Sequence, residues 1–150
     1  MVLKIDQFEI RPFIDKFEIK KGMLTAVIID DEKDAIAVLS QLLKDFTNTP
    51  VKVVGTANNL DEGIKVINST KPDIVFLDID MPEKNGMDIY KSIENPPFKI
   101  IFVTAYNQFA IEALKKSATD YLLKPVNFIE LRESLIKVNK QIEFEQQQRE

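Results

Sequence analysis

The chain has 150 residues, a formal net charge of −4, 45% hydrophobic and 29% charged residues, and neither cysteine nor histidine. This length suits one domain with a short appendage, and the missing residue types exclude disulfides, thiolate chemistry, zinc sites and histidine acid–base catalysis. Basic residues are dispersed, which argues against direct nucleic-acid binding by this segment, and no apolar run approaches the ~20 residues of a membrane span, so a cytoplasmic protein is expected.

Residues 1–22 contain a near repeat, Ile5-Asp-Gln-Phe-Glu-Ile10 and Ile14-Asp-Lys-Phe-Glu-Ile19. They are read as an N-terminal extension without an assigned role, ahead of a domain expected over 23–141. Leu24–Ile29 is continuous and rich in β-branched residues, as in a strand covered on both faces. Leu39, Leu42, Leu43 and Phe46 then recur at helical spacing. Val51–Val54 reads as a second strand closed by Gly55, and Asn59–Asn68 as a second helix with Ile64 and Ile67 on one face.

Ile74–Leu77 is the most apolar strand. A loop with Pro82 and Gly86 leads to a short helix around Met87–Ile93, stopped by Pro96 and Pro97. Lys99–Val103 is the fourth strand, Phe109–Lys115 a helix and Asp120–Leu123 the fifth strand. Phe128, Leu131, Leu135, Val138 and Ile142 mark a long final helix, and residues 142–150 read as the start of a linker helix. Five strand–helix units in strict alternation predict a parallel sheet with helices on both faces and right-handed crossovers.

In such a sheet, function gathers at the carboxyl edge of the strands. The strand ends there carry Asp30 and Asp31, Asp78, Thr104 and Lys124. Singly, each has an ordinary explanation: a helix cap, a turn, β-propensity, a surface Lys-Pro. Their placement at the ends of four different strands favours a site. Three carboxylates in one pocket raise one another's pKa, a penalty that a divalent cation removes, and oxygen-only ligands suit Mg²⁺. With a lysine charge and a short hydroxyl, the set has the parts to accept a phosphoryl group on Asp78.

These residues resemble the receiver domains of response regulators. The likeness is carried by Val27-Ile-Ile-Asp30-Asp31-Glu32, by Pro72 through Asp78, Met81, Pro82 and Gly86, by Phe102-Val-Thr104-Ala105, and by Asp120-Tyr121-Leu-Leu-Lys124-Pro125. It spans about Leu24 to Gln141 and implies a flavodoxin-like five-stranded parallel sheet in the order 2-1-3-4-5. It also implies that Asp78 is the phosphoacceptor, with Asp31, Asp78 and the backbone carbonyl of Asp80 as Mg²⁺ ligands and Asp30 acting through water. Thr104 would be the switch hydroxyl, Lys124 the phosphate partner, Tyr121 a rotating aromatic, and Lys124–Pro125 a cis bond. Asp80 and Tyr106 occupy the positions expected to tune dephosphorylation.

The run from Thr104 through Leu114 and from Asp120 through Val126 is similar to receivers of the LytTR type (LytR/AlgR). That likeness implies a sensor histidine kinase as phosphodonor, a homodimer on phosphorylation, and DNA contacts only through a C-terminal domain absent from this sequence. The chain would be a switch and not a turnover enzyme. Phe109 and Leu114 are left between core and output face. Three rivals stand beside this reading. One is a haloacid-dehalogenase-like phosphatase using Asp78 and Asp80, which phosphate release from p-nitrophenyl phosphate would reveal. Another is an unphosphorylated interaction module, which a failure to bind Mg²⁺ would favour. The last is a flavodoxin-like cofactor binder, although acidic residues stand where a phosphate loop would be.

Overall fold

The computed structural model describes residues 23–46, 50–116 and 118–149, with the side chains of 111 and 114 outside the description. The expected extension over 1–22 therefore lies outside the described residues. The elements in chain order are β1 (Leu24–Ile29), α1 (Lys33–Lys44), β2 (Val51–Ala57), α2 (Leu60–Thr70), β3 (Ile74–Leu77), a 3₁₀ turn (Gly86–Asp88), α3 (Ile89–Ser92), β4 (Lys99–Thr104), α4 (Ala110–Lys115), β5 (Asp120–Leu123) and α5 (Phe128–Arg149). All strand pairs are parallel, in the order β2-β1-β3-β4-β5. Lys124–Pro125 is cis.

The period-2 alternation of the strands sorts the core into two layers. Val27, Ile29, Val75, Leu77, Ile100 and Phe102 face α2, α3 and α4 through Leu60, Ile67, Ile89 and Ala113. Leu24, Ala26, Ile28, Ile74, Phe76, Ile101 and Val103 face α1 and α5 through Leu39, Leu43, Leu131, Leu135 and Val138. Burying each of the Val, Leu, Ile and Phe side chains contributes about 1.5–3 kcal/mol before conformational entropy is subtracted. Because both faces are covered, β3 reads as an unbroken apolar run and β1 is interrupted only by Thr25. Among the described residues no helix is long and apolar enough to cross a membrane.

Several element limits differ from the sequence expectation: α2 runs to Thr70 and not Asn68, β4 to Thr104 and not Val103, and β2 past Gly55. Gly55 does not close β2: the register against β1 shifts between Ala26 and Val27, and the strand continues to Ala57. A Cβ at Gly55 would lie 2.4 Å from Val66 Cγ1, so the missing side chain is what lets α2 sit on the strand. The last helix runs unbroken to Arg149. Its far end is tied to the domain where Thr119 Oγ1 donates to Gln141 Oε1 at 3.1 Å and where Lys99 pairs with Glu145.

Candidate functional site

The sheet itself positions the site. The parallel ladder continues one residue past three strands: the Asp30 N–H donates to the Ala57 carbonyl at 3.0 Å, Asp78 to Ile29 at 2.9 Å, and Lys124 to Thr104 at 2.8 Å. Asp30, Asp78 and Lys124 are thus placed by strand pairing, with Thr104 as the last residue of β4. Asp30, Asp31 and Asp78 each offer a carboxylate oxygen, and these oxygens lie within 4.8 Å of one another. Asp30 and Asp78 are buried, whereas Asp31 is exposed.

The helix-cap explanation does not account for the acidic pair. The cap position of α1 is Glu32, which makes no side-chain cap bond, and Asp30 Oδ1 accepts from the Glu32 N–H at 2.9 Å in a tight turn. The other Asp30 oxygen lies 2.7 Å from Lys124 Nζ, which also lies 3.1 Å from Asp78 Oδ2 and 3.2 Å from Glu32 Oε1. One ammonium against the three clustered carboxylates leaves an excess of two negative charges. Such an oxygen-only, charge-deficient set fits a hard divalent cation.

Burial pushes the Asp78 carboxyl above its ordinary range; the Lys124 charge opposes this, the Asp30 charge adds to it, and the Lys124 hydrogen bond opposes it again. Thr104 contributes the weakest pull toward the ionised form, and its geometry falls short of a hydrogen bond: Oγ1 is buried with no partner among the described residues. For Lys124, burial alone would favour the neutral amine, but the hydrogen bond to Asp30 and the charges of Asp78 and Asp30 raise its pKa. The ammonium is therefore fixed as a charge.

The remaining predicted residues lie around this centre. The Asp80 N–H donates to Asp78 Oδ1 at 3.3 Å, while the Asp80 side chain is exposed and its carboxylate stands outside the cluster. Tyr121 is half-buried, its hydroxyl donating to the Tyr106 carbonyl and its ring tilted against Phe102 at 6.4 Å between centroids. Phe109 packs against the α2–α4 side of the core, and the Leu114 side chain lies outside the described residues.

Two participants went unassigned in the sequence. Glu32 reaches Lys124 across 92 positions, a contact that no local spacing reveals. A Cβ on Gly86 would lie 2.1 Å from the Asp78 carbonyl oxygen, so the loop after β3 can close over Asp78 only where that residue has no side chain. Its signal was the lone glycine after Pro82.

The family described as response regulator receiver domain matches residues 26–136. A response regulatory protein of Vibrio parahaemolyticus is 46% identical over 122 residues, covering 80% of this chain and 49% of the relative. The sensory transduction protein LytT of Bacillus anthracis is 38% identical over 122 residues, covering 79% of this chain and 48% of LytT. The receiver domain of AraT, a response regulator from Geobacillus stearothermophilus, superposes with a TM-score of 0.73 at 29% identity, covering 82% of this chain and 98% of that one. The chain thus spans about half the length of the curated relatives it matches.

Proposed function

The chain belongs to the response regulator receiver domain family, and from that premise we propose that it takes a phosphoryl group onto Asp78 from the phosphohistidine of a sensor histidine kinase. The observation that carries this reading is the pairing of one buried, ladder-held carboxylate with a lysine and two further acids at a single strand edge. An Asp78 oxygen attacks phosphorus in line, an O–P bond forms, and the P–N bond of the donor breaks with the imidazole nitrogen keeping the electron pair. Lys124 offsets charge on the transferred oxygens, and the unpartnered Thr104 hydroxyl donates to one of them. Asp31 and Asp78 with the Asp80 carbonyl, and Asp30 through water, would hold Mg²⁺, which would supply the remaining positive charge.

Drawing Thr104 toward the phosphoryl group vacates space into which Tyr121 swings once its bond to Tyr106 is released. The face of α4, β5 and α5 then changes pose and favours homodimers. Residues 23–141 form this switch unit. Residues 1–22 stand as an extension of unassigned role, and 142–150 begin a linker toward a DNA-binding output domain. The chain acts as a cytoplasmic switch that loses its phosphoryl group slowly.

Incubation with radiolabelled acetyl phosphate and Mg²⁺ tests the assignment. Wild type becomes labelled and Asp78→Asn does not; labelling of a folded Asp78→Asn protein overturns the choice of phosphoacceptor.

A further inference from the structure

At the amino edge of the sheet, away from the acidic site, α3, the start of β4, the residue after α4 and α5 border a cavity of about 260 Å³. Among the described residues its charged lining is only cationic: Lys99 and Lys116 contribute to it, and no aspartate or glutamate does. The chain as a whole carries a net charge of −4. Lys99 is shared with Glu145, which stands outside the lining. Lys116 has no carboxylate partner among the described residues, and its Nζ rests 5.7 Å from the centroid of the Tyr90 ring. The neutral polar groups are donors without acceptors. The Tyr90 hydroxyl is buried with no partner among the described residues, and burial pushes its pKa up to about 12, so it keeps its proton. Gln141 accepts from Thr119 through Oε1, which leaves its amide hydrogens to donate. Pro96, Phe98 and Ile100 supply an apolar wall. The Tyr90 ring is set against Phe102 at 6.5 Å between centroids, so this side of the cavity is already formed.

Donors gathered around two ammonium groups, with an apolar wall beside them, suit a ligand that is itself both anionic and apolar. We propose that this cavity binds a small organic carboxylate. The carboxylate pairs with Lys116, which turns from the Tyr90 ring toward it, and accepts from the Tyr90 hydroxyl and the Gln141 amide. The hydrocarbon body lies against Pro96 and Phe98. Pockets for drug-sized ligands run from about 300 to 1,000 Å³, so this smaller cavity selects an acid with a single ring or a short chain. An inorganic anion would leave the wall unused, and a neutral amide would leave Lys116 unpaired. Because Gln141 belongs to α5 and Ile100 to β4, a bound acid joins the last helix to the sheet and stabilises the folded chain. None of Asp30, Asp31, Asp78, Thr104 or Lys124 lines the cavity, so this site is separate from the acidic one.

Titration of the isotope-labelled 150-residue chain with benzoate, followed through backbone amide shifts, is the test. Benzoate produces saturable shifts centred on Ile100, Lys116 and Gln141 and raises the thermal unfolding midpoint. Benzamide has the same shape without the charge, and inorganic phosphate has charge without the hydrocarbon; each binds about tenfold or more weakly. Lys116 is exposed, so Lys116→Gln leaves the fold intact and weakens benzoate by about tenfold. Tyr90→Phe removes only the hydroxyl and weakens it by about threefold. Circular dichroism checks that both variants fold. The absence of saturable shifts, benzamide or phosphate binding as tightly as benzoate, shifts centred on Asp78 and Lys124, or wild-type affinity in Lys116→Gln overturns the proposal.

Discussion

The two edges of the sheet use the same residue types to opposite ends. At the amino edge, Asp73 is fully committed to structure. Its Oδ2 accepts from the Thr25 N–H at 2.8 Å and from Thr25 Oγ1 at 3.2 Å, and its own N–H donates back to the Thr25 carbonyl at 2.9 Å. At the carboxyl edge, Asp78 has one long backbone bond and a lysine it shares, and Thr104 beside it has a buried hydroxyl with no partner. A satisfied Asp–Thr pair holds β1 to the loop before β3. An unsatisfied one keeps bonding capacity for something that arrives later. Buried polar groups are nearly always paired in folded proteins, so an orphan at a strand end is a mark of use.

The largest effect expected from breaking this contrast is at the amino edge. Asp73→Ala strands the Thr25 N–H and should destabilise the fold by about 2–3 kcal/mol in urea unfolding. Matched substitutions of the two threonines sharpen it. Thr25→Val should lose about 1 kcal/mol, while Thr104→Val should leave stability unchanged or raise it by up to about 1 kcal/mol, since a hydroxyl without a partner gives way to a methyl group. A loss at Thr104 as large as at Thr25 would remove the distinction between the edges.

The smallest effect is a pH slope. With its folded-state pKa raised above the ordinary 3.8, Asp78 favours the fold while protonated. That contribution is present below the ordinary value and is lost as pH rises through the raised one. In metal-free buffer the unfolding midpoint should therefore fall over that window, and Asp78→Asn should flatten the slope. A midpoint that rises instead would place the Asp78 carboxylate in a stabilising environment.

Much of this was legible from residues in order. β1, β3 and β5 have the limits expected of them; for β3 the reason is that a strand buried on both faces writes its whole length as hydrophobic sequence, whereas of β5 only Leu122 is buried. Gly55 misled, since a glycine inside a strand resembles a terminator until the helix packed against it is known. The tail was expected to be helical, as it is, but its tethering by Lys99 and Thr119 from the opposite end of the sheet was not legible. Within the site, the strand-end rule brought Asp30, Asp31, Asp78, Thr104 and Lys124 together. The hold of Glu32 on Lys124 and the clearance at Gly86 were hidden because each depends on a distance across the fold.

Lys124 also has a valence. An ammonium carries three hydrogens, and here it faces three carboxylates, on Asp30, Glu32 and Asp78. It is saturated, so a fourth oxygen can reach it only by evicting one of the three. The residue most easily evicted is Glu32, the one exposed member of the trio. Occupancy of the site and the freedom of the turn leading into α1 are thereby set against each other: a guest that engages the lysine releases the first residue before that helix.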